Sequence, residues 1–338
     1  MSTTSVSNQG TNFFNSNVIT ALNEKLNKIT QQVSTGKVAG VYADLGTKAG
    51  TSLDLHAQDN VLTTFISAIN NVQLKTDQMD SSLTDMTNAL QTVAADMDKL
   101  AQGGGTPDAN TLAMIQTAAQ NALSSLIGDV NTSVGGSFVF AGNNSGTAPI
   151  TNTGAANTNV AAIVAAYNSG TPASTVIANL NSMAETQLGY NSNLAAAGNN
   201  KFQADNNLTL DYTMKGDESQ FQDAIKGLAE IANLQYNSSN PSGFWSIYQD
   251  AKARLDNANT AVTSRQGQLG IMRGQMASLV SSHQSTQLTV EGNISNLEDA
   301  DLPGLATQLS TLQTQLQETY TIIGQLKNLS LVNYLPSS

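Results

Sequence analysis

Between Leu62 and Leu100 the apolar residues recur at steps of three and four without a slip: Leu62, Phe65, Ile69, Val72, Thr76, Met79, Leu83, Met86, Leu90, Val93, Met97 and Leu100, with Thr76 the one polar member. That period keeps a narrow stripe on one face of an α-helix and cannot suit a strand, whose faces alternate every two residues. At the rise of an α-helix the segment is on the order of 60 Å long. A single exposed stripe of that length needs a partner of similar length, packed as a coiled coil. The pattern stops at GGGTP, residues 103–107.

The matching stripe lies near the other end of the chain. Leu255, Val262, Leu269, Met276, His283, Val290 and Leu297 repeat every seventh residue, with Ala258, Met272 and Leu279 in the second seam position. Two heptad segments so far apart in sequence and so alike in length are expected to pair with each other. Shorter seams flank them. Val18, Leu22, Leu26, Ile29 and Val33 line one face of a first helix, and Leu302, Leu305, Leu309, Leu312, Leu316, Ile323, Leu326 and Leu331 follow the interruption EDADLPG.

The predicted fold is therefore mainly α: a long antiparallel coiled-coil or helical-bundle rod built from the N- and C-terminal segments, carrying a central domain. Residues 1–50 form an assembly helix and a glycine-rich loop, 51–140 the outgoing rod with a hairpin, 251–300 the returning rod and 301–338 the second assembly helix, which pairs with the first. Residues 141–250 turn to Ala, Asn, Ser, Thr and Gly and are expected to form an outward-facing domain of mixed or mainly β character. Its candidate strands are Leu208–Met214 and TVIANL around Val176. The run GSFVFAGN places Phe138, Val139 and Phe140 in a short strand, with Asn143 and Asn144 turning the chain.

Charge and composition narrow the function. Lys+Arg 14 against Asp+Glu 25 leaves a formal charge of −11, which opposes nucleic acid or an anionic membrane as the main partner. With no cysteine and only His56 and His283, thiolate chemistry and histidine-rich metal sites are excluded. No apolar run approaches the length of a membrane span, and the first residues lack the basic and apolar regions of a cleavable export signal. Nothing resembles a nucleophile elbow, phosphate loop or metal cluster, so no catalytic residue and no cofactor is assigned.

Single residues read plainly. His283 falls on a seam and is expected to be a packed core histidine; His56 is too isolated in sequence to interpret. The seam methionines are core fillers. Asp299, Asp301 and Pro303 are expected to make a helix cap and hinge, because a Ca²⁺ site needs roughly six to eight oxygens and no such loop is present. Phe244, Trp245 and Tyr248 either pack or offer a carbohydrate platform, and packing is the simpler reading.

Particular residues add a resemblance. Leu26, Val33, Ser34, Thr35, Gly36 and Lys37 with Asp44 beyond, then GSFVFAGN, and at the back Asn293, Ile294, Asp299, Asp301, the leucine seam and the ending LSLVNYL resemble the bacterial flagellin superfamily, and within it the hook-associated proteins of the hook–filament junction. The resemblance covers roughly the first 145 and last 90 residues. It implies a structural subunit, extracellular on the flagellum, exported without a cleaved signal. The implied partners are copies of itself, hook-associated proteins and flagellin, with an export chaperone beforehand. The alternatives are filament flagellin, or a secreted coiled-coil surface protein with a carbohydrate-binding or adhesive central domain. The terminal seams are the expected assembly interface. Around the second seam the filler is Gln, Thr, Ser and Ala, with Glu318 and Lys327 the only charges after Asp301, so its flanks can be buried at little desolvation cost. Short isolated helices are marginal in water, so both ends are expected to become ordered helices as neighbours cover them.

Overall fold

The computed structural model describes the backbone of residues 3–102 and 105–332, and the side chains of residues 13–102 and 105–325. The chain divides into two compact units, residues 1–63 with 284–338 and residues 64–283. Helix α2 (Ala49–Gln102) and helix α7 (Pro241–Glu298) contribute residues to both.

In the larger unit the heptad pattern becomes a core. From Phe65 to Leu100 every seam residue of α2 is buried, as are Leu255, Val262, Leu269, Met276 and His283 of α7. Thr76, the polar member, satisfies its hydroxyl by donating to the Gln73 carbonyl at 3.0 Å. The polar flanks fix the direction of pairing. Lys252 reaches Asp98 (3.3 Å), Gln266 donates to Thr84 (2.9 Å), and Arg273 donates to Asp77 and Asp80 (2.8 and 2.7 Å), so each advance along α7 meets a retreat along α2. The two helices are antiparallel partners.

Helix α3 (Ala109–Val130) starts where Asp108 accepts the Thr111 amide at 2.8 Å and buries Leu112, Ile115, Leu123, Leu126, Ile127 and Val130. A two-residue turn then joins β1 (Ser133–Val134) to β2 (Ser137–Phe138). Gly135 and Gly136 hold φ of 58° and 80° there, the left-handed conformation that a tight hairpin demands. The hairpin thus lies ahead of its expected place: Val139 and Phe140 are buried beyond the second strand, and the Asn143 side chain accepts the Gly198 amide.

The middle of the chain mixes helix and strand, with helix predominating. It holds α4 (Ala155–Asn168), α5 (Ala173–Asn181), α6 (Ser219–Asn233) and one antiparallel hairpin, β3 (Lys201–Asp205) with β4 (Leu208–Asp211). The stretch TVIANL is helix α5, not a strand: Val176 and Leu180, four apart, are both fully buried, and that spacing outweighs the strand propensity of Val and Ile. Nor is residue 141 a boundary in the packing. Val160, Tyr167, Val176, Leu180, Phe221 and Leu228 share one continuous apolar cluster with Met79–Leu100 and α3. The β3–β4 hairpin is pinned from α7, where the His283 ring nitrogen donates to the Ala204 carbonyl (2.8 Å) and the ring stacks on Phe65 (5.7 Å between centroids).

The smaller unit contains α1 (Thr3–Thr35), a 3-10 turn at Tyr42–Lys48, the first turns of α2, the last turns of α7 and α8 (Leu302–Val332). Gln287 on α7 donates to Asp59 and Thr63 on α2 at 2.9 and 3.0 Å, and Leu62, Val290 and Ile294 form a small apolar cluster.

Candidate assembly surface and joint

Two backbone hydrogen bonds tie the end of α1 to the approach to α8: the Val38 amide donates to the Glu298 carbonyl (2.7 Å) and the Ala300 amide to Gly36 (2.9 Å). The two terminal helices therefore lie against each other in opposite directions. A single partner cannot cover either one. Ile29 alone among the expected interface residues is buried; Val18, Leu22, Leu26, Leu305, Leu309, Leu312, Leu316 and Ile323 are half-buried, and Val33 and Leu302 are exposed. Leu326 and Leu331 lie outside the described side chains. Further apolar groups face away from the pair, including Phe13 (72% exposed), Phe14 (68%), Tyr320 and Ile322. Both segments are helices in the single chain, each seam meeting its partner within one subunit. What is left open is the outer face.

The threonines of that face are spent. Thr307, Thr311, Thr314, Thr319 and Thr321 each donate to the carbonyl four residues back, at 2.7–3.1 Å, as do Thr20, Thr30 and Thr35 on α1. Such a threonine offers its methyl to a neighbour with its donor already satisfied, so burying it costs little. Between the helices runs a groove of about 550 Å³ bordered by Lys25, Lys28, Gln32, Gln308, Thr311 and Gln315.

The joint at the foot of this pair is an ionic knot. Lys37 Nζ lies 2.6 Å from Asp299 and 3.6 Å from Glu298. Glu298 also accepts from Ser52 and contacts the His56 ring nitrogen at 2.7 Å, while Ser295 donates to Asp299. These contacts shift the protonation equilibria. The hydrogen bond from Lys37 holds Asp299 below the usual carboxylate range, that from Ser52 does the same for Glu298, and the Asp299 contact raises Lys37. Gly36, at φ 69°, turns the chain out of α1. Asp301 starts α8: its carboxylate accepts the Gly304 amide (3.2 Å) and its carbonyl the Leu305 amide (2.9 Å), with Pro303 in the first turn. Asp299 and Asp301 thus divide the work, one pairing with Lys37 and the other capping. Ser52, His56 and Glu298 escaped the sequence reading. Their one trace in sequence is that Ser52 and His56 stand four apart on a helix.

Among the described residues no three His, Asp or Glu side chains come together as a metal site, and no helix is long and apolar enough to cross a membrane. Phe244 and Tyr248 are buried in mutual ring contact, Tyr248 donates to the Met97 carbonyl (2.7 Å) and Trp245 to Gly105 (3.1 Å). Phe244 and Tyr248 are packing residues, and the half-buried Trp245 packs against both.

Comparisons with known proteins converge on one family. The model of the bacterial flagellin N-terminal helical region matches residues 6–145, and that of the C-terminal helical region matches residues 253–335. Sequence comparison with the curated proteins finds no match. Among solved structures, a provisionally assigned flagellar hook-associated protein of Vibrio parahaemolyticus superposes with a TM-score of 0.53 at 13% identity, covering 74% of this chain and 97% of its own. FlgL of Bacillus cereus matches with a TM-score of 0.48 at 12% identity, over 72% of this chain and 98% of its own.

Proposed function

Because the chain belongs to the bacterial flagellin family and is a structural subunit of the flagellum, we propose that it occupies the hook–filament junction and is held there by the open faces of α1 and α8. The single observation that carries this reading is the half-buried terminal pair, whose apolar seams stay partly open and whose charges are limited to Glu24, Lys25, Lys28, Glu318 and Lys327, against the fully buried seam of the larger unit. A face of that kind gains most from neighbours arranged head to tail in an array that does not close on itself. The GSFVFAGN segment and the fold shared with the Vibrio hook-associated protein support the junction over the filament body.

In this account the expected interface residues, Val18 to Val33 and Leu302 to Leu331, meet neighbouring copies and the adjoining hook and filament subunits. Before export the same faces are held by a chaperone, and the chain leaves the cell through the flagellar export apparatus. The Lys37–Asp299–Glu298 knot fixes the joint at the foot of the pair. Deletion of the gene followed by electron microscopy tests the placement. Cells bearing hooks without filaments, and shedding filament protein into the medium, are expected; filaments of normal length and number contradict it.

A further inference from the structure

Within the larger unit a carboxyl group is buried where no hydrogen bond reaches it. Glu230, on α6, is 0% exposed, and neither of its carboxyl oxygens has a hydrogen-bond partner. Gly227, one turn earlier, lies so close to α7 that a Cβ there would stand 3.0 Å from the Ala251 carbonyl oxygen.

The charged groups facing this point are Arg254 and Asp250 from α7 and Asp223 and Lys226 from α6 itself. Arg254 Nε comes within 3.4 Å of Glu230, but the guanidinium is already engaged: it donates to Asp250 at 2.8 Å and to Asn181 at 2.7 Å, and lies 3.7 Å from Asp223. Three carboxyl groups thus compete for one guanidinium. Lys226 is held below its usual range by burial first and then by Arg254, despite the opposing pull of Asp223 and Glu185. An ionised carboxylate in such surroundings is severely penalised unless it is paired and hydrogen-bonded.

We propose that Glu230 is a proton-holding switch between α6 and α7: the folded subunit keeps this side chain as the neutral acid at neutral pH, and alkali, by forcing a charge into the site, loosens the two helices. The direction of its titration agrees, for burial, and next the charge of Asp250, push it well above the ordinary carboxylate value, with Arg254 only partly opposing. The sign follows. Above the unfolded value of 4.5 the unfolded chain releases this proton while the folded chain retains it. The stability it allows is therefore complete below that value and declines as pH rises toward the folded one.

The test uses the full chain, with urea unfolding followed by the fluorescence of Trp245, the sole tryptophan, which packs on Phe244 and Tyr248. Wild type and Glu230→Gln are compared from about pH 5 to about pH 9. The folded-to-unfolded ratio of the wild type, relative to the variant, is expected to fall by up to tenfold per pH unit over the window in which one proton separates the two states. A ratio independent of pH, with Glu230→Gln less stable throughout, overturns the proposal and makes Glu230 the ionised partner of Arg254. Should the variant fail to fold, infrared spectroscopy of the wild type decides. A protonated-carboxyl band in the folded protein at neutral pH that bleaches on alkalinisation is expected, and its absence overturns the proposal.

Discussion

Two leucine deletions separate burial within the subunit from burial between subunits. Leu90, on the α2 seam, is 0% exposed in the cluster that unites α2, α3 and the middle helices. Leu90→Ala removes three side-chain carbons, two of them methyls, from a site that cannot collapse freely and should cost about 2–5 kcal/mol. That corresponds to roughly 10 °C in the melting temperature of a unit this size. Leu312 sits on α8 at the edge of the groove beside α1 and is only half-buried. The area already covered is worth about 1 kcal/mol to the free subunit. The remaining area, covered only when a neighbour arrives, is worth about as much again, so Leu312→Ala should raise the concentration needed for assembly by roughly fivefold. Thermal unfolding by circular dichroism measures the first effect and sedimentation of assembled material the second. If Leu312→Ala melts the free subunit as severely as Leu90→Ala, or assembles at the wild-type concentration, the assignment of this face to neighbours is wrong.

Acidification should release the joint. Asp299 and Glu298 titrate below their usual range in the folded state, so the contribution of the knot is present at neutral pH and is lost as pH falls through those depressed values. Limited proteolysis should then cut within residues 36–48, and Asp299→Asn should expose the same bonds at neutral pH. Replacing His283 with Leu strands the Ala204 carbonyl and should cost about 1–3 kcal/mol, with faster hydrogen exchange confined to the β3–β4 hairpin. Two glycines should respond oppositely. Gly189 holds φ 93° and its Cβ would stand 2.1 Å from the Asn152 carbonyl oxygen, so Gly189→Ala should be strongly destabilising in a urea titration. Gly270, inside α7 with nothing within 4 Å, should gain about 1 kcal/mol as Ala.

How far the sequence could be read depended on the range of the forces involved. The seams from Leu62 to Leu100 and from Leu255 to Val290 were legible because a long two-helix contact repeats one local rule many times, and each repeat corroborates the next. The middle was harder. Val and Ile in TVIANL favour strand when taken alone, and only the burial of Val176 and Leu180 against distant helices makes the segment α5. The hairpin was displaced because Gly135 and Gly136 carry the turn that the sequence reading assigned to Asn143 and Asn144. The apolar seams of α1 and α8 were plain in sequence, but their partial cover was not, since exposure depends on what surrounds them. At the joint, Asp301 and Pro303 announced themselves by helix-start chemistry. The contacts from Ser52 and His56 to Glu298 link residues some 240 positions apart, a closure that local spacing does not encode.

The most direct test is hydrogen exchange on the free subunit and on the assembled appendage. The account predicts that amides of residues 13–35 and 302–325 exchange readily in the free subunit, where one partner helix covers half of each seam, and slow by orders of magnitude once assembled. The seam of α2 from Phe65 to Leu100 should be protected equally in both. Terminal helices that exchange at the same rate in both states, with new protection appearing only between residues 141 and 250, would contradict it.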